Sequence, residues 1–280
     1  MNVDFRFPAS YWGLILGASS GFGGAAAIEL ARHGMNVFGV HFDRAGTMPN
    51  VERIVKSIEG AGGKALFFNI NASDAAKRNE TLDAIQRQFS SDSSATIRVL
   101  MHSLAFGTLK PYVAKTTDGM VSQAQMEMTL DVMANSLVYW TQGAVLRGLV
   151  KPGGRVFAMT SSGGHAVLPN YGAVSAAKAA LESHIRQLAL ELGPYGITAN
   201  AIMAGVTNTP ALQKIPGAAK MIAVATAKNP RTRITTPEDV AKAITLLCHD
   251  NADWISGGMI NVDAGEDIVS YIGQKSPTEL

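Results

Sequence analysis

Seven short apolar runs alternate with helical stretches along this sequence, and that alternation constrains the fold more than any other feature. The runs are WGLIL, NVFGVHF, KALFFNI, IRVLMH, GRVFAM, ITANAIM and MINV, and segments of helical composition start from Gly23, Val51, Asp74, Ser122, Tyr171 and Pro237. Continuous apolar runs suit strands buried on both faces of a parallel sheet. Right-handed crossovers then put helices on both sides of that sheet. The pattern predicts an α/β fold, a doubly wound parallel sheet of about seven strands in a single domain spanning residues 1–280.

Composition narrows the partners. Hydrophobic residues make up 47% and charged residues 16%, the balance of a well-buried globular protein. A net charge of +2, spread evenly, argues against a nucleic-acid groove or a membrane-surface patch. The opening segment MNVDFRFPASYW carries Asp4, Arg6 and Pro8 where a signal peptide needs an apolar run. No apolar stretch approaches the roughly 18 residues of a membrane span. Cys248 is the single cysteine, which excludes an internal disulfide and a multi-cysteine metal cluster. The expectation is a soluble cytoplasmic protein with no metal.

The first run ends in GASSGFGG, where Gly17, Gly21 and Gly23, with Ser19, Ser20 and Phe22 among them, lead into the helix AAAIELARHG. Glycines there let the backbone approach a pyrophosphate, whose charge meets the free amides of the helix start. After the second run, the place where an NAD enzyme puts an acidic residue falls on His41, followed by Phe42, Asp43 and Arg44. With no carboxylate at His41 and with Arg44 able to pair with a 2′-phosphate, the reading favours NADPH over NADH, although Asp43 is close by. In a doubly wound sheet the ligand crevice lies at the carboxyl ends of the strands. Asn71 and Ala72 after the third run, and Ser103, Leu104 and Ala105 after the fourth, therefore face the adenine and the nicotinamide ribose. His102 reads as a packed or hydrogen-bonded loop residue.

The chemistry concentrates between Thr160 and Leu192. Here a strand ends in Ser161 and Ser162, and a Gly-rich turn leads to a helix carrying Tyr171 and Lys178. Seven residues at about 100° each come within about 20° of two full turns, so both side chains share one side. The ammonium is expected to lower the phenol pKa and to create an acid facing a developing oxyanion. The plainer alternative is an amphipathic helix with an exposed lysine and a half-buried tyrosine. Asn135 lies inside a long helix expected from Ser122 to Val150, where its amide either faces solvent or holds a backbone group or water. Residues 208–233, with three prolines and many small apolar residues, read either as a mobile lid over a greasy substrate or as an ordinary surface helix.

Together these motifs resemble the short-chain dehydrogenase/reductase family over nearly the whole chain, which implies a Rossmann-like fold. The resemblance rests on GASSGFG, Asn71 and Ala72, Asn135, Ser161, Lys178, AGVTNT and ISGGMINVDAG. Most members keep a tyrosine four residues before the lysine; this chain has Val174 there. Its tyrosine is Tyr171, a spacing similar to the enoyl-(acyl-carrier-protein) reductases, and HSLAFG is also similar to that subgroup. The short glycine motif resembles the NADPH-preferring branch.

The resemblance implies reduction of a trans-2-enoyl thioester, carried on acyl carrier protein or coenzyme A, in fatty-acid synthesis. Catalysis would fall to Tyr171, Lys178, Ser161 and Asn135. Gly205, Val206, Thr207 and Thr209 would complete the cofactor site, with Val206 and Thr209 bracketing the nicotinamide carboxamide. It further implies a homotetramer. The displaced phenol has a physical logic: hydride attacks the β-carbon while charge appears on the distant carbonyl oxygen, and three residues move the acid about 4.5 Å along the helix. A carbonyl reductase using Ser161 and Tyr171 on a ketone remains the competing enzyme reading, and a non-catalytic nucleotide-binding protein the competing class.

Overall fold

Strands that are apolar on both faces need a helical layer on each, and the chain supplies them in strict alternation. The computed structural model describes residues 5–270. Strands β1 (Tyr11–Leu16), β2 (Asn36–His41), β3 (Ala65–Asn69), β4 (Thr96–His102), β5 (Arg155–Thr160), β6 (Thr198–Ala204) and β7 (Met259–Val262) form one sheet in the order β3-β2-β1-β4-β5-β6-β7. All neighbouring pairs are parallel. The helices are α1 (Gly21–Arg32), α2 (Met48–Gly60), α3 (Ala75–Phe89), α4 (Gln123–Leu130), α5 (Ser136–Leu146), α6 (Gly172–Leu192), α7 (Ala218–Lys228) and α8 (Pro237–Leu247). This is the Rossmann-like doubly wound sheet that the apolar runs predict.

Alternate strand residues feed two cores. Leu14, Leu16, Phe38, Leu100 and Val156 pack with Leu137, Trp140, Leu181 and Ile185 on one face. Ile15, Val37, Val99, Met101 and Phe157 pack with Leu30, Ile54, Ile58, Val240 and Ile244 on the other. Two arginines interrupt these apolar strands for a definite reason. Arg98 on β4 and Arg155 on β5 are buried and reach the carboxyl end of α8, where Arg98 donates to Cys248 O at 2.8 Å and Arg155 to Leu247 O at 3.2 Å. Their charge meets the orphan carbonyls and negative pole of that helix.

The long helix expected from Ser122 to Val150 is broken. Ser122 does cap α4, in a reciprocal pair with Gln125, but a π-turn over Asp131–Asn135 separates α4 from α5. Hydroxyls bonded back to the preceding turn flank the break, Thr129 to Gln125 O at 2.7 Å and Ser136 to Val132 O at 2.8 Å, a habit that bends helices. The helix stops at Leu146, with Gly148 just beyond it in the left-handed conformation at φ 65°. Residues 208–233 fold as a 3-10 turn, Leu212–Lys214, followed by α7. No helix among the described residues is long and apolar enough to cross a membrane.

Candidate active site

Strand order reverses at β1, which pairs with β2 on one side and β4 on the other, so a crevice opens beyond their carboxyl ends. Gly17 turns there at φ 90°, and a Cβ on it would come within 2.5 Å of Ser103 O. A Cβ on Gly23 would lie 2.1 Å from Gly17 O. These two glycines bring the loop, the start of α1 and the end of β4 into contact. Ser103 itself donates its amide to Leu16 O at 2.8 Å, with Leu104 packed beside Gly17 and Ala105 exposed next to it. Asn50 on α2 donates to Ser19 O and steadies the loop from the other side.

The leading amides of α1 are open. Its cap, Ser20, makes no side-chain bond, and the first turn around Gly21 and Phe22 carries no acidic residue. Such a helix start receives a phosphate group. Across the crevice, Thr209 in the loop after β6 stands where a Cβ on Gly21 would meet it at 3.5 Å. Gly205, Val206 and Thr207 form the base of that loop. Val206 N–H donates to Glu266 at 3.0 Å, and Thr207 Oγ1 to Gly205 O at 2.9 Å. On the opposite side, Asn71 is exposed and accepts from Ser73, and buried Ala72 accepts from Trp140 Nε1 at 2.8 Å.

His41 does not face the crevice as expected. It is 4% exposed at the end of β2, and its Nδ1 lies 3.1 Å from Asp43 Oδ2. Asp43 holds the turn after β2. Its backbone is pinned to Asn69 by two bonds, at 3.0 and 2.9 Å. Burial works to raise its pKa, but the side chains of Thr47, Ser19 and His41 outweigh burial and hold the carboxyl below its ordinary range. A carboxylate therefore stands next to Ser19 of the glycine loop, an arrangement able to repel a 2′-phosphate and to accept from ribose hydroxyls. Arg44, the expected phosphate partner, is exposed. Asp43 lies two residues beyond the expected register.

Lys178 is 6% exposed and its Nζ donates to Met159 O on β5 at 2.6 Å. Burial pulls its pKa down to about 8, opposed by Glu182 one turn further along α6. Tyr171 is the residue immediately before α6 rather than inside it, at φ −99° and ψ 0°, yet its carbonyl already accepts from Ser175 N at 2.8 Å. The helical register thus extends back to the phenol. The expected lowering of its pKa by Lys178 does not occur: burial raises it, with Ser161 opposing. One donor of the ammonium goes to the sheet carbonyl, and the half-buried ring keeps its proton. Ser161 Oγ is close enough to the phenol to oppose that rise but falls short of hydrogen-bond geometry, and it is buried without another partner.

A turn missed in the sequence aims the phenol. Leu168-Pro169-Asn170-Tyr171 closes with Tyr171 N–H on Leu168 O at 3.3 Å, and Asn170 sits at φ 61°. Proline followed by a left-handed asparagine is the signature of a type II turn. The Tyr171 ring then lies so near Gly163 that a Cβ there would be 2.5 Å from the ring. Tyr112, also missed, lays its ring against Gly172, and is 51% exposed at the mouth.

Asn135 closes the π-turn, and its Oδ1 lies 3.2 Å from His184 Nε2 on α6. The turn thereby docks on the helix that carries Lys178. His102 belongs to β4 rather than a loop; it is fully buried, with Nε2 2.9 Å from Ser136 Oγ. Burial and then the Lys178 charge push its pKa down to about 3, so it is neutral.

A family model described as enoyl-(acyl carrier protein) reductase matches residues 17–266. The chain belongs to this family. It is thus an oxidoreductase of the short-chain dehydrogenase/reductase fold. It is 31% identical over 205 residues to the enoyl-(acyl-carrier-protein) reductase (NADH) of Nostoc sp., covering 73% of this chain and 76% of the relative. It is 28% identical over 260 residues to an NADPH-dependent aldehyde reductase-like chloroplastic protein of Arabidopsis thaliana, covering 90% and 92%. The crystal structure of the enoyl-(acyl-carrier-protein) reductase (NADH) from Aquifex aeolicus superposes with a TM-score of 0.80 at 24% identity, covering 94% of this chain and 98% of the other. That likeness speaks to the fold alone. The expectation of NADPH is overturned by the enoyl reductases of Nostoc and Aquifex aeolicus to which the chain is similar, both NADH enzymes.

Proposed function

We propose that the chain reduces the double bond of a trans-2-enoyl thioester with NADH, the acyl group being carried on acyl carrier protein. The observation that carries this reading is the placement of the phenol. Val174, four residues before Lys178, is 4% exposed and packed in the core, so the acid is Tyr171, one turn earlier. That displacement suits an enolate oxygen remote from the carbon that accepts hydride.

The residues present fit the dinucleotide. The Gly17 to Gly23 cradle and the open amides of α1 would hold its pyrophosphate, Asp43 its adenosine ribose, and Lys178 the ribose of the nicotinamide. When bound, the cofactor supplies the hydride. Tyr171, kept protonated by burial, donates a hydrogen bond to the enolate oxygen as charge develops there, and the enolate then takes a proton from water at its α-carbon to give the saturated thioester. Lys178 supplies positive charge behind it, and Ser161 Oγ, lacking a partner, orients the thioester carbonyl. Residues 208–233 close over the acyl chain, and Tyr112, its ring against Gly172, stands beside the phenol's helix. The same reading includes a homotetramer in which α5 and α6, with Leu146 and Leu190 exposed, pack against their copies.

A second reading, reduction of a ketone or aldehyde, is favoured by the unpartnered Ser161 beside the phenol. Oxidation of NADH with crotonyl-CoA against acetoacetyl-CoA separates the two. Crotonyl-CoA is expected to be consumed at least tenfold faster, and the reverse order sinks the enoyl assignment. Tyr171→Phe should lower enoyl turnover about 10²-fold or more with NADH affinity unchanged; full turnover would remove the phenol from the chemistry.

A further inference from the structure

Beyond β7 the chain turns back under the crevice. Asp263, 3% exposed, accepts from Gly265 N at 2.9 Å and Asp267 N at 2.8 Å, with Ala264 and Gly265 both left-handed. This tight turn delivers Glu266, 7% exposed, beneath Gly205. Its Oε1 accepts from Val206 N–H at 3.0 Å and its Oε2 from Asn229 Nδ2 at 3.3 Å. A Cβ on Gly205 would lie 2.8 Å from Oε2, so the carboxylate and the loop are in contact.

Val206 N–H and Gly205 C=O are the two polar groups of one planar peptide unit. Glu266 holds the first, and the Thr207 hydroxyl holds the second at 2.9 Å. Thr207 is itself bridged to Thr235. The first peptide of the loop is therefore fixed at both ends. A buried carboxylate is costly to keep, and its charge binds the amide more strongly than a neutral acceptor would. Asn229, 1% exposed, ties the same carboxylate to the end of α7 and to Asp263 O at 2.9 Å. The charged groups facing Glu266 are Asp263 from its own turn and Lys228 from α7.

We infer that Glu266 is a positioning residue for the cofactor, holding residues 205–209 in the shape that receives the nicotinamide carboxamide. This rests on the proposed function, which assigns that loop to the cofactor. Burial raises the Glu266 pKa; the Val206 amide and Asn229 oppose it, Asp263 adds to it and Lys228 opposes it. Falling pH thus removes the charge that grips Val206.

The test is the dissociation constant of NADH, read by fluorescence from about pH 7 down to about pH 4.5 in the full-length protein, together with kcat at saturating NADH. In the wild type the constant should rise about tenfold across that range, the scale of losing one charge-assisted bond. Glu266→Gln should bind more weakly at the upper end and lose most of the pH dependence, with kcat at saturation retained. Lys228→Met, which removes the ammonium facing the carboxylate, should move the midpoint to higher pH, and it carries the test if Glu266→Gln does not fold. A flat wild-type profile, a Glu266→Gln profile matching the wild type, or an unmoved midpoint in Lys228→Met overturns the inference while leaving the enoyl reductase assignment standing. A wild type that binds no NADH at any pH overturns both.

Discussion

Lys178→Met should make the protein more stable and remove its activity. The lysine ammonium is buried, and its pKa falls from 10.5 to about 8. At 1.36 kcal/mol per pH unit, keeping that charge in the fold costs about 3 kcal/mol. Methionine keeps most of the stem's volume and removes the charge, but it leaves Met159 O without its donor, a loss of about 1–3 kcal/mol. The net gain is about 1 kcal/mol, or about 2–4 °C in melting temperature for a domain of this size.

The pH dependence gives the sharper check. Below pH 8 both folded and unfolded chains hold the proton, and the wild type bears the full penalty. As pH rises from about 8 to 10.5, the folded lysine loses its proton while the unfolded one keeps it, and the penalty disappears. The advantage of Lys178→Met, measured by urea unfolding, should therefore be constant below pH 8 and shrink above it. A variant less stable than the wild type at pH 7, or an advantage that does not change with pH, would refute the burial argument. NADH affinity and enoyl turnover, measured on the same samples, should both collapse; an active Lys178→Met would remove the lysine from the site.

Two further substitutions probe how the site is aimed. Asn170→Val puts a β-branched residue at φ 61° and should cost about 1–3 kcal/mol while lowering kcat more than tenfold through the misplaced phenol; Asn170→Gly should stay near wild type. Equal kcat in the valine variant would show that the turn does not orient Tyr171. Asp43→Asn should weaken NADH binding about tenfold and narrow the gap between NADH and NADPH. Isothermal titration with each dinucleotide reads both effects, and an unaltered NADH affinity would take Asp43 out of the ribose site.

The sheet was legible in the sequence because burial on both faces leaves an unbroken apolar run, and all seven runs became strands. The glycine loop was legible for a related reason: only residues without a Cβ permit the approach of Gly23 to Gly17 O. The Tyr171 to Lys178 spacing likewise carried through to the helix register, since helical geometry depends on residue count alone.

What the sequence could not decide was which neighbours each polar group would meet. Lys178 faces a sheet carbonyl instead of acting on the phenol pKa, His41 is buried against Asp43, and a π-turn breaks an apolar stretch that reads as one continuous helix. Each outcome depends on residues far apart in the chain: Met159, Asn69 and His184 meet Lys178, Asp43 and Asn135 only after the layers pack. Periodicity reports whether a side chain is buried; charge and hydrogen bonding in the site are set by what is buried beside it.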